Sequence, residues 1–184
     1  EYGLTLSWTK VYHRSVIQRK AFKFRIKTNP KAEGPMAKIA GAMRFVWNQA
    51  LALQKERLDK QEKLLNYSEL ARLLVQWKQA ESTNWLNEVP SQSLQQVLMQ
   101  LDRAWRDAFN KKSPKRFPRF KKKGQQDSFR YPQGIKLEGN KVFLPKIGWA
   151  RFFKSREVLG VIKNATVSKR GKHWFVSIQT EQEI

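Results

Sequence analysis

The sequence contains no cysteine. Disulfides, thiol nucleophiles and zinc sites built on cysteine are therefore excluded. Histidine is almost as scarce, with 2 residues, His13 and His173. Neither has metal-ligand spacing around it, so each reads as a surface or strand residue. No apolar stretch reaches the length of a membrane span, and no basic amphipathic anchor stands out. No signal-peptide pattern is seen, which makes an intracellular location the expectation. The chain opens on Glu1 rather than Met and reads as a fragment or a processed form.

Acidic residues are also few for so much base. Asp and Glu number 15 against 37 Lys and Arg, a formal charge of +22 over 184 residues. A compact fold with this excess repels itself, and it is usually tolerated because a polyanion is the partner. Nucleic acid is the first choice, ahead of an anionic membrane surface or a merely soluble basic protein. Hydrophobic residues make up 40%, which argues against wholesale disorder. The length suits one ordinary domain or two small ones.

Along the chain the apolar period changes twice. Over Lys20 to Lys27, Phe22, Phe24 and Ile26 alternate with Lys23, Arg25 and Lys27, predicting a strand with one basic face. Asn29-Pro30 is expected to break that run. From Met36 the spacing turns helical through Ile39, Met43, Trp47 and Leu51 toward Leu58, with Pro35 at the helix start. Ser68 is read as the N-cap of a second helix through Leu70, Leu74 and Trp77. Thr83 to Pro90 is a connection. A third helix after Ser91 carries Leu94, Val97, Leu98, Leu101 and Trp105 on one stripe. The plain reading of these stripes, a bundle core, is accepted for nearly all of them.

Lys111 to Lys123 is different: 8 of these 13 residues are basic and none is acidic. Phe117 and Phe120 interrupt the charge. A solvated linker is the simpler reading, but rings spaced within a cationic track suit a strand that offers bases to stack and phosphates to pair. After Gly124 the period becomes two. Ile135 to Leu137 and Val142 to Leu144 flank one expected hairpin, and Ala165 to Ser168 and Trp174 to Ile178 flank a second. Arg151 to Lys154 and Val158 to Lys163 are further strand candidates. The order strand, helices, strands predicts an α+β fold in which the first strand pairs with the last ones.

Several stretches resemble the TnpB family of transposon-encoded, RNA-guided DNA nucleases, relatives of the type V CRISPR effectors. They are Lys20-Ala21-Phe22-Lys23-Phe24-Arg25-Ile26, Arg44-Phe45-Val46-Trp47-Asn48 and Trp85 to Ser91 with Leu94-Gln95. Phe117 to Lys123 with Ser128-Phe129-Arg130, and Leu144 to Trp149, complete the set. They occur in the family's order. Lys27-Thr28-Asn29-Pro30 departs from the family's usual Tyr-Pro turn, and residues 1–18 precede its usual start.

The resemblance implies an oligonucleotide-binding-like β-barrel, the wedge domain, interrupted by a helical recognition lobe of about three helices. On that reading 1–18 is an N-terminal extension, 19–35 and 125–184 are the two parts of the wedge, and 36–124 is the lobe with its basic loop 111–123. The implied partners are a guide RNA from the transposon end, double-stranded target DNA with a short transposon-adjacent motif, and a RuvC-like nuclease domain. A divalent metal is expected only in that domain, on an Asp, Glu and Asp set, and no cofactor is expected in this chain. Asp59, Asp102, Asp107 and Asp127 read as helical or loop residues rather than a two-metal site in an apolar strand, so no catalytic residue is assigned. The implied location is the cytoplasm of a prokaryotic cell, nucleoid-associated when bound to DNA.

Carried over by motif, the expected readers of the DNA motif are Tyr67, Ser91, Gln92, Gln95 and Gln133. Glutamine pairs with adenine through two hydrogen bonds, and tyrosine packs on a thymine methyl. The plainer readings are an N-cap for Ser91 and solvent exposure for Gln92 and Gln95. The expected backbone contacts are Lys111, Lys112, Lys115, Arg116, Arg119, Lys121, Lys122 and Lys123, joined by Lys23, Arg25 and Arg130. Phe117 and Phe120 are the candidates for base stacking. Trp47 and Asn48 read as helix packing and a buried hydrogen bond. The competing functions are a nuclease-dead RNA-guided repressor, a plain DNA-binding regulator and, on charge alone, a ribosomal or RNA-processing protein.

Overall fold

The alternation of Phe22, Phe24 and Ile26 with basic residues does build a strand. In the computed structural model, which describes residues 15–184, it begins earlier than the alternation suggests: β1 runs Ile17–Arg25. The extension has a partner. β1 pairs antiparallel with the last strand, β7 (His173–Glu183), from Ile17 opposite Glu183 to Arg25 opposite Phe175. Val16 and Ile184 exchange backbone hydrogen bonds of 3.1 and 3.0 Å beyond it. The expected pairing of first and last strands is thus present. Residues 1–14, and with them His13, lie outside the described residues.

Asn29-Pro30, expected only to break the strand, begins a helix. α1 spans Pro30–Asp59, and the Asn29 side chain accepts from the Ala32 amide at 2.9 Å. Asparagine at the N-cap and proline in the first turn are each favoured there, because the first amides have no helical partner. Pro35 therefore lies inside the helix rather than at its start. α2 spans Tyr67–Gln79 and is capped by Asn66, not Ser68. Asn66 and Glu69 each bond the other's backbone amide, at 2.9 and 2.7 Å. This reciprocal pair satisfies two orphan donors, which a lone serine two residues later does not. The connection before α3 (Ser91–Phe109) contains a short 3-10 turn, Asn84–Glu88, that buries Leu86.

The remaining strands are β2 (Ser128–Tyr131), β3 (Lys136–Glu138), β4 (Lys141–Leu144), β5 (Gly148–Arg151) and β6 (Val161–Arg170). They form a four-stranded sheet in the order β1-β7-β6-β2 and a three-stranded sheet β3-β4-β5. Both expected hairpins are present, turning at Gly139-Asn140 and Gly171-Lys172. Three expectations need correction. Ser128-Phe129-Arg130, which the resemblance groups with the family's basic loop, is instead the edge strand β2. Arg151 to Lys154 is not a strand; β5 ends at Arg151, and Phe152 makes a lone bridge to Ile26. Val158 to Gly160 stay outside β6. Gly160 turns there with φ +93, and a Cβ on it would meet the Glu181 carbonyl oxygen at 2.7 Å, so the chain can close on β7 only through glycine.

Among the described residues the architecture is α+β, with three α-helices and antiparallel sheets that do not close into a barrel. Register decides the core of the larger sheet. Phe24, Val176, Val167 and Phe129 form one buried row across its strands, and Phe22, Ile178, Ala165 and Tyr131 the next. On the helical side Leu94, Leu98 and Leu101 of α3 are wholly buried with Val46, Ala50 and Leu51 of α1. Each buried leucine contributes about 1.5–3 kcal/mol. One contiguous apolar cluster joins the two halves.

Candidate nucleic-acid interface

The basic loop is held rather than loose, and α1 holds it. Asn48 meets the Lys121 backbone twice: its Nδ2 donates to the carbonyl at 3.0 Å and its Oδ1 accepts from the amide at 2.8 Å. One residue back, Trp47 Nε1 donates to the Arg119 carbonyl at 2.8 Å. Arg44 pairs with Asp127 at 2.8 Å, with both side chains largely shielded. Residues three and four apart share a helix face, so the spacing of Arg44, Trp47 and Asn48 is what lets one helix grip a segment from 119 to 127. The reading of Trp47 as packing and Asn48 as a buried hydrogen bond agrees with these contacts. Farther along, Gln54 does the same for the link before α2, bonding both backbone groups of Leu65 at 2.8 and 2.9 Å. Gln54 is buried. Nothing in its sequence surroundings marked it.

Pinning the backbone sorts the loop cations. Lys111, Lys112, Arg116, Arg119, Lys122 and Lys123 are exposed and belong to none of the ion pairs among the described residues. Lys115 is paired with Asp107. That lysine holds the Asp107 carboxyl below its ordinary range. Lys121 lies over the Trp47 ring, its Nζ 4.1 Å from the centroid. Burial pushes its ammonium pKa down. Both of these lysines therefore already have a partner within the chain, Lys115 at the surface and Lys121 partly buried. Phe117 packs on Trp105 and Phe109 at 5.3 Å from each and keeps 49% of its surface exposed. Phe120 is equally exposed, with Lys55 Nζ 4.8 Å from its ring centre.

The remaining candidates fall into separate places. Ser91, Gln92 and Gln95 sit together on the exposed first turns of α3. Pro90, not Ser91, is the N-cap, and no side chain caps the helix; the Ser91 hydroxyl instead accepts from Lys78 Nζ at 2.8 Å. Lys78, at the end of α2, was not foreseen, and partial burial lowers its pKa. Tyr67 opens α2 at its other end, about 16 Å from Lys78 along the axis at 1.5 Å per residue. It is half-buried against the core. The structure thus groups the α3 trio with Lys78 and leaves Tyr67 apart. Gln133 is exposed beyond β2. On the larger sheet, Arg130, Thr166, Ser177 and Lys23 lie in one cross-strand row, which puts Lys23 and Arg130 on opposite edges about 14 Å apart. Arg25 is exposed on the same face of β1, and Arg130 is half-buried with its Nε shielded and without a partner among the described residues.

Residues 18–63 match the HTH_OrfB_IS605 family model, described as a helix-turn-helix domain. The chain is 50% identical over 166 residues to "Putative RNA-guided DNA endonuclease InsQ" of Escherichia coli (strain K12), covering 89% of this chain and 41% of that protein. The chain is TnpB-like. It is also 27% identical over 179 residues to a "Putative RNA-guided DNA endonuclease" of Streptomyces pristinaespiralis, covering 90% of this chain and 42% of that one. It therefore spans about two fifths of the length of these curated relatives. The description of the matched segment does not fit its shape here. Between 18 and 63 lie β1 and the single helix α1; the next helix starts at Tyr67, so that segment holds no helix-turn-helix. No helix among the described residues is long and apolar enough to cross a membrane.

Proposed function

We propose that this chain is the nucleic-acid-binding portion of a TnpB-like RNA-guided DNA endonuclease, holding a guide RNA, the guide–target heteroduplex and a transposon-adjacent DNA motif. The observation that carries the reading is the gripped loop: the Arg44, Trp47 and Asn48 face fixes its backbone and leaves a row of free cations facing solvent. A fixed cationic track costs less ordering on binding than a floppy one. In this reading the strands serve as the oligonucleotide-binding-like wedge and α1 to α3 as the recognition lobe. Gln92 and Gln95, exposed on the first turns of α3, read base edges, with Ser91 beside a phosphate at the helix N-terminus. The guide supplies most of the sequence specificity by base pairing. Cutting then requires a RuvC-like nuclease domain that holds divalent metal.

Sequencing the RNA that co-purifies with the chain tests this. A structured RNA from a transposon end is expected, and RNA of random sequence refutes the reading. Contact with roughly six to ten phosphates also predicts a fall of about 10³- to 10⁵-fold in affinity between about 50 and 200 mM salt. A plain DNA-binding regulator is favoured only by the helix-turn-helix description, and the strand-then-helix shape of 18–63 speaks against it. Such a regulator keeps its duplex site after RNase treatment.

A further inference from the structure

Aromatic rings on the outer faces of the sheets belong neither to the core nor to the gripped loop. In the small sheet Val142, Leu144 and Ala150 are buried, so strand alternation turns Phe143 and Trp149 outward. These two are paired in register, with ring centres 5.5 Å apart and edge to face. Trp149 keeps 48% of its surface exposed. Lys136 is the cross-strand neighbour of Phe143, and Lys141 that of Arg151 on the same face.

The pattern continues onto the larger sheet. The Lys27 amide donates to the Arg151 carbonyl at 2.8 Å, and the Phe153 amide to the Arg25 carbonyl at 2.9 Å. The exposed Phe153 ring lies beneath the Arg25 guanidinium at 4.4 Å and Lys27 Nζ at 4.7 Å. Arg25 is in turn the register partner of Phe175, over which Lys23 Nζ stands at 5.0 Å. Rings and cations thus alternate along one band across both sheets.

Exposed rings of this kind often mark a protein contact, and the curated relatives are longer than this chain. The charge speaks against that occupant. Lys136, Lys141, Arg151, Arg25 and Lys27 border the rings, with Glu138, opposite Lys141, as the acid among them. Covering these cations with protein leaves charges to be desolvated unpaired. A polynucleotide supplies a phosphate for each cation and a base for each ring. A duplex keeps its bases stacked inside, so the ligand that uses rings is unpaired.

We infer that this band is a stacking platform for an unpaired stretch of RNA, with Trp149 as its main ring and Lys136 and Arg151 on the flanking phosphates. The inference rests on the reading of the chain as an RNA binder, but it assigns a surface separate from the basic loop, so the two can fail separately.

The test measures binding of the chain to a labelled single-stranded RNA of about ten nucleotides, to DNA of the same sequence and to an RNA hairpin. Trp149→Ala is expected to weaken the single-stranded RNA by about 5- to 150-fold, with hairpin affinity and salt slope unchanged. Trp149→Phe should keep most of the affinity, and as Trp149 lies outside the core both variants should melt as the unaltered chain does. Equal loss on hairpin and single strand, or loss confined to DNA, overturns the platform. Single-strand affinity untouched by Trp149→Ala overturns the platform alone. Failure of the unaltered chain to bind any RNA overturns the proposed function as well.

Discussion

Replacing Asn48 by alanine removes both bonds that fix the Lys121 backbone while leaving the Trp47 and Arg44 contacts in place. A hydrogen bond between partly buried groups contributes about 1 kcal/mol net, so the loop should lose about 2 kcal/mol of docking free energy. The Lys121 amide and carbonyl regain water when the loop lifts, which keeps the cost near that value rather than at the larger penalty for stranded polar groups. Such a loss corresponds to about a 30-fold rise in the population of the lifted loop. Amide exchange at Lys121 should speed up by about that factor. Amides of α3 around Leu98 and Leu101, buried and distant in sequence, should keep their protection. Affinity for RNA should fall by up to the same factor, with an unchanged salt slope, because the cations are retained and only their order is lost. Exchange at Lys121 that stays as slow as in the unaltered chain would falsify the idea that α1 grips this loop.

Gln95→Ala is expected to relax the preference at one base of the DNA motif, at about 1–3 kcal/mol, and a uniform weakening across sequences removes it as a reader. Tyr131 is buried and its hydroxyl donates to the Pro145 carbonyl at 2.8 Å. Burial raises the pKa of the phenol, so the folded state keeps its proton where the unfolded chain loses it. Stability is then complete below about pH 10 and falls as pH rises above it. Tyr131→Phe should flatten that alkaline limb in pH-dependent unfolding; an unchanged limb assigns it to another group. Gly160→Ala forces a positive φ on a residue with a Cβ and presses it on the Glu181 carbonyl. A loss of about 1–3 kcal/mol in chemical denaturation is expected, and a stabilised variant contradicts the close approach.

The order of elements was legible because hydrophobic period depends only on local chain geometry. Period two over Phe22, Phe24 and Ile26, period 3.6 over the helical stripes, and glycine at the two hairpin turns each point to one local structure. Charge was equally plain, since an excess of +22 calls for an anionic partner whatever the fold. The edges of elements were not legible. Asn66 and Ser68 are both acceptable N-caps for α2, and the choice between them followed from which side chain found its second partner, as Asn66 did in Glu69. Pro35 stands inside a helix because the cap was set earlier, at Asn29.

The interface itself was decided by tertiary contacts. In the sequence the cations of 111–123 are equivalent, and only packing withdraws Lys115 to Asp107 and Lys121 to Trp47. Gln54 looks like any polar residue on a helix until it meets the Leu65 backbone, and the buried bond read for Asn48 gains its partner, Lys121, only in the fold. The outward aromatic band depends on which side of each sheet is covered, and on the bridge between Ile26 and Phe152 that brings Arg25 over Phe153. Composition and period are properties of a chain read locally. Which cation stays free and which ring stays bare depends on partners dozens of residues away, and folding alone brings those together.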